Sequence, residues 1–254
     1  MPARAENSET VWHIQKRLRD LGFDVAVDGD LGPPTFWDQS ETLAAILAHL
    51  GGPVTIADPR DAAPTRNGKH VYIDIGHGQK PDRFDPGAVH RGTNTSEHSL
   101  NIIAAKACET RLFEAGFDVT IDDLSRHNYS AGKAAKGSDM FISIHHNSHG
   151  APAQGAEALY HRTKGGKADR KLAAAAAKEM AKELGIRNRG AKPAGLSVLS
   201  GAADVGVPAS ILAEMYFMHE QSPPNPPTSD MVIWSHRAGE ALARSIIAYN
   251  KSNA

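Results

Sequence analysis

Three residues, His77, Glu97 and His145, have the types and settings of a divided metal site. His77 closes the run Val71-Tyr-Ile-Asp-Ile-Gly-His-Gly78, Glu97 lies in Thr95-Ser-Glu-His98, and His145 lies in Met140-Phe-Ile-Ser-Ile-His-His-Asn147. Zinc in a catalytic site takes three protein ligands and keeps a fourth position open, and two imidazoles with one carboxylate form such a set for hydrolysing amides. Most of the thirteen histidines read as ordinary surface or core residues, among them His146, His149, His161 and His236. His77 and His145 differ because each directly follows an apolar strand, and His77 also stands between two glycines that free the backbone to turn. Glu109 and Glu114 compete with Glu97 on the same segment but lie deeper along it.

Further polar residues fall at the same kind of place. Glu214 ends Ala209-Ser-Ile-Leu-Ala-Glu214, where an ionisable group needs a reason to be buried. Either it is the general base beside a zinc-activated water, or it is a paired structural ion. Glu157, in Gln154-Gly-Ala-Glu-Ala-Leu-Tyr160, is the second candidate, orienting substrate or supporting the ligand shell. Asn147, two residues past His145, shares its strand face and is placed to hydrogen-bond substrate or ligand.

The elements that must hold these residues follow from apolar periodicity. The expected order is strand 71–75, helix 98–115, strand 117–122, a helical turn near 129–136, strand 140–145, strand 156–161, helix 167–184 ended by Gly185, strand 196–199, strand 209–217 and helix 230–250. Alternating strands and helices imply an α/β fold, a central mostly parallel or mixed sheet of about six strands flanked by helices. Ligands in open α/β sheets collect at the carboxyl ends of strands, which is where His77 and His145 stand.

Taken in order, Asp74-Ile-Gly-His-Gly78, Asp85-Pro-Gly87, Glu97, Ser143-Ile-His-His-Asn147, Gly155-Ala-Glu157 and Pro208-Ala-Ser-Ile-Leu-Ala-Glu214 resemble the zinc-dependent N-acetylmuramoyl-L-alanine amidases of amidase family 3. The resemblance covers roughly residues 69 to 250. It implies one zinc ion per chain held by His77, Glu97 and His145, Glu214 as the catalytic carboxylate, and peptidoglycan as substrate, cut between the glycan and its stem peptide. The segment from Lys80 to Thr95 is longer than is usual for that family.

The 254 residues, 41% of them hydrophobic, suit an α/β domain plus a small module. The expected division is a helical module at 1–50, a linker at 51–69 carrying Pro53, Pro59 and Pro64, and a catalytic domain at 70–254. Residues 11–22 place Val11, Ile14, Leu18 and Leu21 on one helical face, and a Gly/Asp-rich turn follows. Gln15, Leu18, Asp28, Gly29, Gly32 and Thr35 resemble the signature of small three-helix peptidoglycan-binding modules. Pro33-Pro34 and Phe36-Trp37 depart from it.

Residues 1–50 carry a net charge of −4 and the remainder +3, so a wall-binding module of this kind would use hydrogen bonds and the aromatics Trp12, Phe36 and Trp37 rather than bulk charge. A near-neutral total without a basic cluster disfavours nucleic acid. No apolar run is long enough to insert in a membrane, and Met1 to Thr10 has no segment suited to a signal peptide. The lone Cys108 forms no internal disulfide and reads as a buried, inert thiol. These features lead to the expectation of a phage-type or prophage-type endolysin, made in the cytoplasm and acting at the cell wall or periplasm after a separate holin-like protein releases it. The alternatives are a bacterial cell-division or recycling amidase, a zinc peptidase cutting within the stem peptide, and a non-catalytic wall-binding protein.

Overall fold

The structure is a computed structural model that describes residues 65–90, 92–123, 126–148, 153–218 and 231–252. The expected helical module at 1–50, most of the linker, His149 and the proline-rich segment 222–227 lie outside the described residues.

A six-stranded mixed sheet organises the fold. Its strands are β1 (His70–Ile75), β6 (Asp118–Asp122), β7 (Met140–Asn147), β8 (Ala156–His161), β9 (Asn188–Ala194) and β10 (Ala209–Phe217), in the spatial order β6-β1-β7-β10-β8-β9. All neighbours run parallel except β10 and β8. Between β1 and the first helix, α1 (Glu97–Glu114), lie two short antiparallel ladders, β2 (Gly78–Gln79) with β3 (Phe84–Asp85) and β4 (Val89–His90) with β5 (Thr95–Ser96). The other helices among the described residues are α2 (Asn128–Ala134), α3 (Lys167–Leu184), α4 (Ser197–Asp204) and α5 (Met231–Lys251).

Because successive side chains of a strand point to opposite faces, the sheet separates two cores. Val71, Ile73 and Ile75, Met140, Ile142 and Ile144, and Ala209, Ile211 and Ala213 pack with α1, α3 and α5 into the larger one. Tyr72, Phe141 and Leu212 face the other way, under α2 and α4. Those two helices span only 7 and 8 residues, so they cover only part of their face. Continuing each strand two residues beyond its covered residue reaches Asp74, Ser143 and then His145, and Glu214, all of which line an open cleft.

Most expected elements agree with the structure within two residues, including the left-handed Gly185 that ends α3. Two corrections concern one stretch. Residues 196–199, expected as a strand, begin helix α4, and the sixth strand is instead β9 at Asn188–Ala194.

Candidate metal centre and active site

His77 sits just past the end of β1 with φ of 68°, a left-handed conformation uncommon for a residue with a Cβ. Strain of this kind persists where surrounding contacts over-determine the backbone. Here Gly76 donates its N–H to the Ile144 carbonyl at 3.0 Å, and its own carbonyl accepts from His98 Nδ1 and Asn101 Nδ2, each at 3.0 Å. A Cβ at position 76 would lie 2.4 Å from ring atoms of His145, so only glycine lets the two histidines approach. Their ring centroids are 4.9 Å apart.

Glu97 is the first residue of α1, whose preceding Ser96 accepts from the Ser99 N–H through its hydroxyl at 3.2 Å. A carboxylate in the first turn is favoured by the unpaired N–H groups and the helix dipole. The side chain is buried and saturated with donors. Its Oε1 lies 3.0 Å from His77 Nε2, 2.9 Å from His145 Nδ1 and 3.2 Å from the His146 N–H, and its Oε2 accepts from the Ala88 N–H at 3.0 Å. One ligand-type atom from each of His77, Glu97 and His145 therefore falls within 4.8 Å of the others. Glu109 and Glu114 are engaged elsewhere on α1, with Lys106 at 3.3 Å and Arg111 at 3.1 Å.

The electrostatics of the cluster favour positive charge. Burial alone would lower the His77 pKa, but hydrogen bonds and charge from Glu97 and then Asp85 outweigh it and push the imidazole up to about 9. Burial opposes the charge of Glu97, yet the two histidines hold it well below the usual carboxylate range. The Glu97 carboxylate thus favours positive charge at His77, and a divalent ion would supply that charge without the proton. The set fits zinc in donor type and number, and the third partner typical of such sites is present. Asp85, held by the β2–β3 ladder and by the Gly87 N–H at 3.1 Å, faces His77 Nδ1 at 3.0 Å and fixes which nitrogen turns inward. Asp85 stands in the Asp85-Pro-Gly87 motif, but its contact with His77 arises only as the ladder folds it back.

Glu214 lies in register with His145 on one side and Glu157 on the other. Its Oε2 is buried without a hydrogen-bond partner among the described residues, which sets it apart from a paired structural ion. Burial is the main cause that pushes its pKa up to about 7, with Glu97 and Glu157 adding to the shift and His145 and His77 opposing it. Glu157 is in a different state. Burial raises its pKa, but Lys192 at 2.5 Å and Arg189 beside it more than compensate and hold it ionised. Its Oε1 accepts from Asn147 Nδ2 at 3.2 Å, which leaves the side-chain Oδ1 of Asn147 to be offered to the cleft that Asn147 lines. A carboxylate gripped by two cations is poorly suited to shuttle protons and well suited to orient a neighbour.

The cleft, about 530 Å³, runs from Lys80 and Ala88 past the three clustered residues to Glu214, Leu212 and the start of α4. Asp74 also lines it, its carboxyl raised by burial and bonded by the Ser143 hydroxyl at 2.6 Å. A second hollow of about 340 Å³ adjoins it through Lys80, Asn128 and Ser197. His146 and His161 are core residues with their own partners, Asn101 and Ser200, and His236 is exposed.

An α/β sheet that brings two strand-end histidines and a helix-start glutamate together, with the unpartnered Oε2 of Glu214 beside them, is an arrangement suited to hydrolysis. The chain belongs to the N-acetylmuramoyl-L-alanine amidase family, amidase family 3, whose pattern it matches over residues 71–229. It is 31% identical over 208 residues to the uncharacterized protein YqiI of Bacillus subtilis, covering 80% of this chain and 95% of that protein. It is 29% identical to the N-acetylmuramoyl-L-alanine amidase LytC of the same organism, over 72% of this chain and 36% of LytC. Among solved structures it is similar to the amidase AmiC2 of Nostoc punctiforme (TM-score 0.62, 25% identity, 73% of this chain and 99% of that one). It is also similar to the catalytic domain of the amidase CwlV of Bacillus (Paenibacillus) polymyxa (TM-score 0.60, 26% identity, 72% and 98%).

Proposed function

We propose that the chain hydrolyses the amide bond between N-acetylmuramic acid and L-alanine in peptidoglycan, with one zinc ion held by His77, Glu97 and His145. The observation that carries this reading is the convergence of three donor atoms within 4.8 Å beside the unpartnered carboxylate oxygen of Glu214. When bound, zinc supplies Lewis acidity for acidifying a water and polarising a carbonyl oxygen. Glu214 accepts the proton that the attacking water loses as its oxygen bonds to the lactyl carbonyl carbon. It then delivers that proton to the amide nitrogen as the carbon–nitrogen bond breaks, leaving a carboxylic acid on the sugar side and a free L-alanine amine, which ionise to carboxylate and ammonium in solution. A carboxyl with pKa near 7 is suited to both transfers at neutral pH. Asn147, oriented by Glu157, offers its side-chain oxygen to a peptide N–H of the substrate. We further assign residues 1–50 as a wall-binding module and the chain as an endolysin; the Gln15, Asp28, Gly29 and Gly32 pattern supports this assignment.

Mass spectrometry of digests of purified peptidoglycan tests the reaction. The expected products are peptides with a new L-alanine amine and intact sugar strands. New amines on diaminopimelate or D-alanine would mean a peptidase, and no products from zinc-loaded protein would mean a binding protein. Deleting residues 1–50 should leave the cut bond unchanged and weaken action mainly on intact walls, because a tethered binding module raises local substrate concentration.

A further inference from the structure

A row of buried polar groups that takes no part in the proton transfers above begins one helical turn after Glu97. Asn101 lies four residues further along α1, hence on the same face, and is fully buried. Its Nδ2 donates to the Gly76 carbonyl at 3.0 Å, immediately before His77. Its Oδ1 lies 2.7 Å from Nδ1 of His146, the residue immediately after His145. His146 Nε2 lies 3.0 Å from Ser235 Oγ, and Ser235 Oγ lies 2.8 Å from both the Tyr216 hydroxyl and the Met231 carbonyl at the start of α5.

The direction of every bond at the inner end is forced. A carbonyl only accepts, so the amide nitrogen of Asn101 must face Gly76 and its oxygen must face His146. An amide oxygen only accepts, so His146 Nδ1 carries the proton and gives it to Asn101 Oδ1, while Nε2 faces the Ser235 hydroxyl, whose single proton also reaches the Met231 carbonyl. One amide thus ties the turn that presents His77 to the neighbour of His145, while the His146 backbone N–H bonds to Glu97 itself. All three clustered residues are referred to a single side chain.

We infer that Asn101, braced by His146 and Ser235, is a positioning residue that sets the separation of His77, Glu97 and His145 for the metal. This rests on the metal reading above and deepens it. Partners of this kind behind metal ligands are worth about 10–100-fold in affinity.

The test measures zinc affinity of stripped protein by competition with a chromophoric chelator, together with the visible spectrum of the cobalt-loaded protein. Asn101→Leu removes both bonds. Asn101→Asp keeps an acceptor for His146 but loses the donor to Gly76, and each should bind zinc roughly 10–100-fold more weakly, with a changed cobalt spectrum. Ser235→Ala, at the far end, should weaken affinity severalfold and keeps the measurement possible if Asn101→Leu fails to fold. Ser138→Ala is the control. It loses a buried bond to the Ala135 carbonyl far from this row, so it should lower stability while leaving affinity and spectrum unchanged. Wild-type affinity in both Asn101→Asp and Ser235→Ala overturns the inference alone. A wild-type protein that takes up no zinc overturns the metal reading and this inference with it.

Discussion

Replacing Glu214 by glutamine should make the zinc-free protein more stable and the zinc-loaded protein nearly inactive. The carboxyl pKa moves from 4.5 to about 7 on folding, chiefly through burial, so between those values the folded protein holds a proton that the unfolded chain has released. Stability then falls as pH rises through that window, by about 1.4 kcal/mol per unit and about 3 kcal/mol in all, and no further above it. Glutamine cannot ionise and escapes this loss. For a chain of this size about 3 kcal/mol corresponds to roughly 6–12 °C in melting temperature. The assay is thermal unfolding of chelator-stripped wild type and Glu214→Gln at pH 5 and pH 8, followed by circular dichroism. The advantage of the variant should be small at pH 5 and reach most of that span at pH 8. His77 titrates in the same sense over a higher window, its stabilising contribution full below pH 6.5 and lost as pH rises to about 9, but it is present in both proteins and largely cancels in their difference. Zinc should shrink the advantage, because a nearby cation favours the carboxylate. Turnover of Glu214→Gln should fall by a factor of about 10² to 10⁴ with zinc content intact. An advantage equal at pH 5 and pH 8 would refute the argument that Glu214 is held protonated by its burial.

Elemental analysis should find one zinc per chain; His77→Ala and His145→Ala should lose it, and stripping it should abolish lysis that added zinc restores. Asp85→Ala, which frees His77 Nδ1, should weaken zinc binding about 10–100-fold in a chelator competition. Glu157→Gln should keep zinc and raise KM more than it lowers kcat, since Asn147 loses its orienting carboxylate; a kcat loss as deep as that of Glu214→Gln would move the proton-transfer role to Glu157.

The sequence made the inner strands legible because their residues are β-branched or apolar and buried on both faces, and the histidines at their ends stood out against that background. It concealed β9 for the opposite reason. Asn-Arg-Gly-Ala-Lys-Pro-Ala is polar and carries Gly190 and Pro193, and it is a strand only because β8 offers it a ladder at the sheet edge, where proline is tolerated. Leu196 to Leu199 misled because a short apolar run does not distinguish strand from helix. What decides the matter is Gly201, where a Cβ would lie 2.1 Å from the Tyr129 carbonyl, so α4 seats directly against the backbone of α2.

The site shows the same division between what a linear pattern carries and what only folding supplies. The residues we assign to it, His77, Glu97, His145 and Glu214, stand out in the sequence by position: histidines directly after apolar strand residues, a carboxylate at a helix start, and an acid within an apolar strand. Asp85, Asn101, Ser235 and Arg189 do not, since an aspartate before Pro-Gly, an asparagine in a helix, or a serine and an arginine elsewhere is unremarked alone. Their roles arise from contacts across long stretches of chain, such as Ser235 with His146 and Arg189 with Glu157. The two short helices add a further constraint that no residue carries by itself. Because α2 and α4 cover Tyr72, Phe141 and Leu212 but stop short of the strand ends, the same alternation that fills the second core turns polar and opens into the cleft. Lengthening either helix toward those ends would extend the core at the expense of the site, which ties the shortness of these elements to the chemistry rather than to packing alone.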